Sequence, residues 1–408
     1  MTVPVLSCAR GRVTIYVGDV LDRLQALPND FADCVITSPP YWGLRDYGVE
    51  GQIGLEATLG EHIETMVSVF AEIFRVLKPH GTLWLNYGDC YASAPNGRSA
   101  AETKAAGTDD RTFRDKPFST VGGTIKAGDL CMLPETLAIA LRDWGWALRS
   151  RIVWGKPNPM PDSSGTTRPS TAHEMIFMLS KPGRANCWRA RDTGEISFSP
   201  DMSEKCRQVT NDKLAHRWIG MSSFYDAAAV RVERKTLDYP KQPDGWGAAD
   251  GAHGTVHRAG RQPGKKTVEK QRGHRRPHTG ATDRWDRMTR EERSANGRLL
   301  RNYEPAPVQV WHMSVSGFSG AHFATFPPEL VERCLVAGCV PGGVVLDPFG
   351  GAGTAGLVAA RHGRSAHLIE LNPEYAALAA ARIDAEWGER VVPRAAPMDE
   401  GLFAEGLS

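Results

Sequence analysis

Apolar residues follow two rhythms along this chain. Short β-branched runs alternate with stretches in which apolar residues recur every third or fourth position. Val13-Thr14-Ile15-Tyr16-Val17 reads as a strand ending at Gly18-Asp19. Val20 to Leu27 reads as a short helix stopped by Pro28-Asn29, and Cys34-Val35-Ile36-Thr37 as a strand running into Ser38-Pro39-Pro40. From Leu59 to Leu77, Ile63, Met66, Val67, Phe70, Ile73, Phe74 and Leu77 form one helical face. Lys78-Pro79-His80-Gly81 ends that helix, and Thr82 to Asn86 is the next strand. Residues 92–128, rich in Gly, Ala, Ser and charge, are expected to form a mobile loop. Leu133 to Trp144 follows as a helix, with Trp146 to Trp154 and Glu174 to Leu179 as strands.

The rhythm fades between about 185 and 305 and returns at Val308-Gln309-Val310-Trp311. Pro328 to Gly338 reads as a helix with proline in its first turn, where a missing N–H costs nothing. Then come a strand at Val344-Val345-Leu346, a helix from Gly353 to His362, a strand at Ala366 to Ile369, and an Ala-rich helix from Pro373 to about Trp387. Continuous apolar strands alternating with helices predict an α/β fold whose mostly parallel sheet is buried on both faces. The expected organisation is 1–185, an inserted and partly irregular region 186–305, a second part 306–390 of the first domain, and a tail 391–408.

Composition changes this picture in one place. The formal net charge is only +2, yet Arg258 to Arg301 holds 14 Lys/Arg against 5 Asp/Glu. A block of +9 leaves the remainder near −7, which points to a polyanion partner, nucleic acid first. No run approaches the roughly 18 apolar residues of a membrane span. The start, Met1-Thr2-Val3-Pro4-Val5, lacks the pattern of a secretory signal. The eight cysteines include no C-x-x-C pair and read as reduced thiols of a cytosolic protein. His253/His257 and His274/His278 have a spacing that can bind zinc on a helix, but glycine and proline interrupt both segments, so no metal is expected.

Candidate chemistry lies at strand ends. Asp347-Pro348-Phe349-Gly350-Gly351-Ala352-Gly353-Thr354 follows a strand and opens a helix, and its glycines admit a ligand close to the backbone. The next strand ends in Glu370, the position of a ribose-binding carboxylate. Asp347 would repel a pyrophosphate and favour a cationic ligand, and S-adenosylmethionine carries a sulfonium and an ammonium. Asp347 is assigned to the methionine ammonium, Glu370 to the ribose hydroxyls and Asp19 to the adenine amine.

Ser38-Pro39-Pro40-Tyr41 suits an exocyclic base amine, a poor nucleophile because its lone pair is delocalised into the ring. The Ser38 hydroxyl and the Pro39 carbonyl can accept its two hydrogens, and Pro39-Pro40 holds that carbonyl in place at little entropic cost. Tyr41 would stack on an extruded base, with Trp42 as a second stacking candidate. Methylation at cytosine C5 needs a cysteine nucleophile, typically after proline, and no cysteine here follows a proline.

Read in order, Gly18-Asp19, Thr37 to Tyr41, a variable region, His322-Phe323-Ala324-Thr325-Phe326-Pro327, Asp347 to Thr354 and Glu370 resemble the DNA amino-methyltransferases of β-class motif order. The resemblance covers about 1–185 and 305–388. Lys156-Pro157-Asn158-Pro159-Met160-Pro161 and His173-Glu174 also look like family sequence. It implies a Rossmann-like methyltransferase with circularly permuted motifs and S-adenosyl-L-methionine as donor. Catalytic residues would be Ser38, Pro39, Pro40 and Tyr41. Cofactor residues would be Asp19, Phe323, Thr325, Asp347, Phe349, Gly351, Gly353, Thr354, Glu370 and Asn372, with Thr325 near the methionine carboxylate.

Serine before Pro-Pro is typical of members acting on cytosine N4, and aspartate there of adenine N6, so cytosine is the expected base and adenine the alternative. The basic insert would be the target-recognition region, with Arg272, Arg275, Arg276, Arg284 and Arg287 on duplex DNA. The insert matches no recognition module we can name, and Gly350-Gly351-Ala352-Gly353 is looser than the common alanine/serine variant. A cognate restriction endonuclease, a monomer or homodimer, and a cytoplasmic protein of bacterial or phage origin that meets the nucleoid through DNA complete the expectation. A DNA-binding protein without catalysis is disfavoured by the intact Ser38-Pro39-Pro40-Tyr41. A protein or small-molecule amine methyltransferase is disfavoured by the size and charge of the insert.

Overall fold

The computed structural model describes residues 5–44, 46, 48–93, 118–159, 168–183, 187–190, 196–198, 218–226, 229–230, 309–314 and 327–389. The chain divides into two compact units, Met1–Val230 with Val308–Ser408, and Arg231–Pro307. The expected DNA-contacting arginines, the four spaced histidines and Phe323 and Thr325 lie outside the described residues, as does 94–117 of the expected mobile loop. The described end of that loop is tied by a bridge between Gly122 and Ile125.

Twelve strands and six helices build the described part of the first unit. In chain order they are β1 Val5–Cys8, β2 Val13–Val17, α1 Val20–Ala26, β3 Ala32–Thr37, α2 Leu59–Val76, β4 Leu77–Tyr87, α3 Leu133–Trp144, β5 Ala147–Gly155, β6 His173–Ser180, β7 Cys187–Ala190, β8 Ile196–Ser197, β9 Trp218–Met221, β10 Val310–His312, α4 Pro328–Gly338, β11 Val344–Asp347, α5 Thr354–Arg361, β12 Ser365–Glu370 and α6 Pro373–Glu389. The main sheet has the order β1-β2-β12-β11-β3-β4-β6-β5-β10. Its centre, β2-β12-β11-β3-β4, is parallel, and β6 runs antiparallel to both β4 and β5. The expected parallel α/β sheet is therefore present. A small sheet, β8-β7-β9, lies in the stretch where no periodicity was legible, because strands of two to four residues are too short to show one.

Alternate residues of the central strands enter different cores. Cys34, Ile36, Val345 and Leu368 pack with α4, α5 and α6, while Val35, Leu83, Leu346 and Ile369 pack with α1, α2 and α3. β3 is buried along its whole length, which explains why it reads as an unbroken apolar run. α2 is started by a capping box: Thr58 Oγ1 accepts the Glu61 N–H at 3.2 Å, and Glu61 accepts the Thr58 N–H at 3.0 Å.

The permuted order has a visible consequence. The last described helix, α6, returns to the first strands, and the Ala9 N–H donates to Asp384 at 2.8 Å across 375 residues of sequence. β12 pairs in parallel with β2, so strands from the two ends of the chain are neighbours.

α4 is locked onto β4 by contact too close for a side chain. Trp84 Nε1 donates to Thr82 Oγ1 at 2.9 Å, which donates to the Gly338 carbonyl at 3.0 Å. A Cβ on Gly338 would lie 2.1 Å from Trp84 Nε1. Gly338→Ala is expected to destabilise the protein by roughly 1–3 kcal/mol, read as a lower urea midpoint; an unchanged midpoint would contradict the contact.

Candidate functional site

The carboxyl edge of the parallel strands carries both motifs side by side. Ser38 follows β3, Asp347 closes β11, Glu370 closes β12 and Asp19 lies two residues past β2. These four strands are consecutive in the sheet, in the order β2-β12-β11-β3. A cavity of about 250 Å³ opens there, where an open α/β sheet places its ligand crevice. Ser38, Pro39, Pro40, Tyr41, Asp19, Phe349, Gly351, Thr354, Glu370 and Asn372 all line it.

Asp347 and Gly353 stand behind that lining. Asp347 is 1% exposed. It accepts the Thr37 hydroxyl at 2.7 Å and the Phe349 N–H at 3.1 Å. The first bond joins the residue before Ser38 directly to the residue that opens the glycine turn, so the two motifs are one hydrogen-bonded unit. Burial pushes the Asp347 carboxyl up to about 7, and the charge of Glu370 adds to the rise. Gly353 has φ +76°, and a Cβ there would crowd Ala379 and Ile383 at 3.0 Å. The turn thus needs glycine both for its left-handed backbone and to let α6 pack against it.

Glu370 holds the turn as well as facing the cavity. Its Oε2 accepts the Gly351 N–H at 2.8 Å and its Oε1 the Asn372 N–H at 2.9 Å. Burial raises its carboxyl above the ordinary value, against the pull of those N–H groups. Asp19 caps α1, its Oδ1 accepting from Leu21 at 2.9 Å and Asp22 at 3.2 Å. Three carboxyl groups around a glycine turn suit a cationic ligand with hydroxyls and an amine, and they disfavour a phosphate.

Tyr41 sits edge-on to Tyr87, with ring centroids 5.0 Å apart. Its hydroxyl donates to Glu174 Oε2 at 3.2 Å. Burial, then the nearby Glu174 charge, hold its phenol well above the usual value, so it remains a donor. Asn86, Trp154, Lys156 and Glu174 line the same cavity. Lys156 and Glu174 form an ion pair, and the Lys156 ammonium lies 4.5 Å from the Trp154 ring centroid. Sequence reasoning picked out Lys156 and Glu174 only as family-like residues and gave them no role. Glu174 is the second residue of β6, and only an antiparallel strand brings its amino end to this edge.

No disulfide joins the seven described cysteines, all of which are buried. Among the described residues no helix is long and apolar enough to cross a membrane, and no cluster of three metal-ligating side chains occurs.

The family model for N6/N4 DNA methylases matches residues 32–381, from β3 through most of α6. The type II methyltransferase M.XycI of Xanthomonas campestris pv. cyanopsidis is 37% identical over 373 residues, 91% of this chain and 88% of that protein. M.Cfr9I of Citrobacter freundii, also a type II methyltransferase, is 34% identical over 373 residues, with the same coverage of 91% and 88%. The solved structure of the cytosine-N4-specific PvuII DNA methyltransferase covers 94% of this chain and 94% of its own, with a TM-score of 0.50 at 16% identity, a likeness of fold. With the family match spanning both motifs and the cavity between them, this chain belongs to the N6/N4 DNA methylase family.

Proposed function

We propose that the protein transfers a methyl group from S-adenosyl-L-methionine to the exocyclic N4 amine of a cytosine flipped out of duplex DNA, directly and without a covalent enzyme intermediate. The observation that carries this reading is the placement of Ser38-Pro39-Pro40-Tyr41 at the end of β3, beside the acid-lined cavity at the ends of β2, β12 and β11. The cofactor supplies a methyl group on a positively charged sulfur. Glu370 would hold its ribose hydroxyls and Asp19 its adenine amine, and the buried Asp347 would favour its ammonium. Ser38 and the Pro39 carbonyl accept the two amine hydrogens, which draws the nitrogen toward tetrahedral geometry and frees its lone pair for in-line attack; the N–CH3 bond forms as the S–CH3 bond breaks, and the surplus amine proton leaves to water. Tyr41 offers a ring to the flipped base.

Serine rather than aspartate before Pro-Pro supports cytosine over adenine. A hydroxyl beside Pro-Pro accepts an amine hydrogen without placing a second full charge next to Glu174. The test is incubation with duplex DNA and labelled cofactor, digestion to nucleosides and mass spectrometry. N4-methylcytosine is expected; N6-methyladenine would overturn the base assignment, and unlabelled DNA would overturn the substrate.

The basic stretch Arg258 to Arg301 is proposed as the DNA-contacting segment. Affinity for duplex DNA should fall steeply between 50 and 200 mM salt, by on the order of 10³-fold if about six phosphates are neutralised. A flat salt dependence would remove this segment from the interface.

A further inference from the structure

The hydroxyl end of Tyr41 carries a polar cluster that neither motif supplies. Tyr41 donates to Glu174 Oε2 at 3.2 Å, and Asn86 Nδ2 donates to the same oxygen at 3.1 Å. Lys156 forms an ion pair with Glu174 and lies 4.5 Å from the centroid of the Trp154 ring. All five residues line the cavity.

Counting hydrogens shows which of these groups still has one to give. The Tyr41 phenol has one, and it goes to Glu174. The Asn86 amide has two, and they go to Glu174 and to the Met175 carbonyl at 3.3 Å. The Trp154 indole has one, and it goes to the Met313 carbonyl at 2.9 Å. Glu174, as the acidic half of an ion pair, only accepts. The Lys156 ammonium has three, and among the described residues it gives one, to Glu174. Lys156 is thus the donor left over in this cluster. A carboxylate on one side and an aromatic face on another hold its head group in place before any ligand arrives.

The position of the cluster says what it can meet. Ser38 and Pro39 adjoin the backbone end of the Tyr41 ring, while Glu174 on β6 and Lys156 just past β5 stand at its hydroxyl end, beyond β4. A base stacked along Tyr41 with its amine at Ser38-Pro39 turns the far end of its Watson–Crick edge to the cluster. On cytosine that end is the O2 carbonyl, an acceptor. Adenine has its C2–H there, which accepts nothing.

We propose that Lys156 is a specificity-determining residue whose ammonium donates to O2 of the flipped cytosine, held for that task by Glu174 and Trp154. The inference deepens the cytosine reading and rests on it. With adenine in the pocket the ammonium would give up water and gain no partner, so the purine is disfavoured by the same group that secures the pyrimidine.

The test measures single-turnover methyl transfer to a duplex that the parent methylates, with either cytosine or 2-thiocytosine at the target position. Sulfur accepts a hydrogen bond weakly, so the parent is expected to act about tenfold more slowly on the thio base. Lys156→Met keeps the length of the side chain but has no hydrogen to give. It should be slower on cytosine by about tenfold or more, and its preference for oxygen over sulfur should fall below about twofold. A residue that only supports the pocket would slow both substrates alike, so an unchanged preference in Lys156→Met overturns the proposal. Should that variant fail to fold with Glu174 left unpaired, Lys156→Met combined with Glu174→Gln takes its place, and the same two ratios decide. A parent that methylates adenine and not cytosine sinks the cytosine reading itself. A parent that methylates cytosine with the same oxygen-to-sulfur ratio as the variant sinks this inference alone.

Discussion

Ser38→Ala is expected to lower the methyl-transfer rate by about 10²–10³-fold, the usual cost of removing one preorganised hydrogen-bonding group at a reacting centre. On the proposed mechanism the variant loses one of two acceptors for the target amine, so the nitrogen would stay flatter and its lone pair in the ring. Ser38 is not one of the three acids assigned to the cofactor, and it follows a strand whose residues are buried on both faces. Cofactor affinity and the urea midpoint should therefore stay close to those of the parent. Single-turnover kinetics with labelled cofactor, alongside calorimetry of cofactor binding, checks both halves. A rate within twofold of the parent would remove the amine-orienting role.

Asp347→Asn should change stability and cofactor affinity in opposite directions. The parent carboxyl is pushed up to about 7 by burial, from an ordinary value of 3.8. A raised acid binds its proton more tightly when folded, so its contribution is intact below about pH 4 and is lost as pH rises through about 7. The full loss is on the order of 4 kcal/mol for the cofactor-free protein at pH 8. Asparagine keeps an oxygen for the Thr37 hydroxyl and the Phe349 N–H without the charge. The variant should therefore be flatter in stability between pH 4 and pH 8 and more stable than the parent at pH 8. It should also bind cofactor about tenfold or more weakly, having lost a charged partner for a cation. In the parent, cofactor should raise the melting temperature more at pH 8 than at pH 5.5, since below about 7 it must first displace a proton. Parallel stability curves for the two proteins from pH 4 to pH 8 would show that Asp347 does not titrate in this window.

The two results bear on one architecture. Thr37, one residue before Ser38, donates to Asp347, so the proposed amine site and the proposed cofactor site share a hydrogen bond across adjacent strands. A change on one side that disturbs Thr37 would be felt on the other, whereas Ser38→Ala and Asp347→Asn are chosen to leave that bond in place.

Much of this site was legible in the residues because its parts are local. A strand that ends in Ser-Pro-Pro-Tyr, or in Asp-Pro-Phe-Gly-Gly, announces its carboxyl end, and parallel strands bring such ends to one edge. Asp19, Ser38, Asp347 and Glu370 could be placed together from that rule alone. The helices at 59–76, 133–144, 328–338 and 373–389 follow apolar spacing within a few residues of their observed bounds. The β8-β7-β9 sheet did not, since such short strands carry no period.

The motif order, the parallel α/β class and the acids at the strand ends were legible in the sequence, because each depends on residues close together in the chain or on the rule that parallel strands share an edge. The tertiary structure alone seats Asp347 in the interior, outside the cavity lining, while Glu370 and Asp19 reach the cavity, and brings Glu174, Asn86 and Lys156 to Tyr41 there. The placement of Glu174 depends on the antiparallel register of β6 between β4 and β5, a pairing across some ninety residues of sequence on one side. No local pattern encodes such a register; it is set by how the two faces of the finished sheet pack.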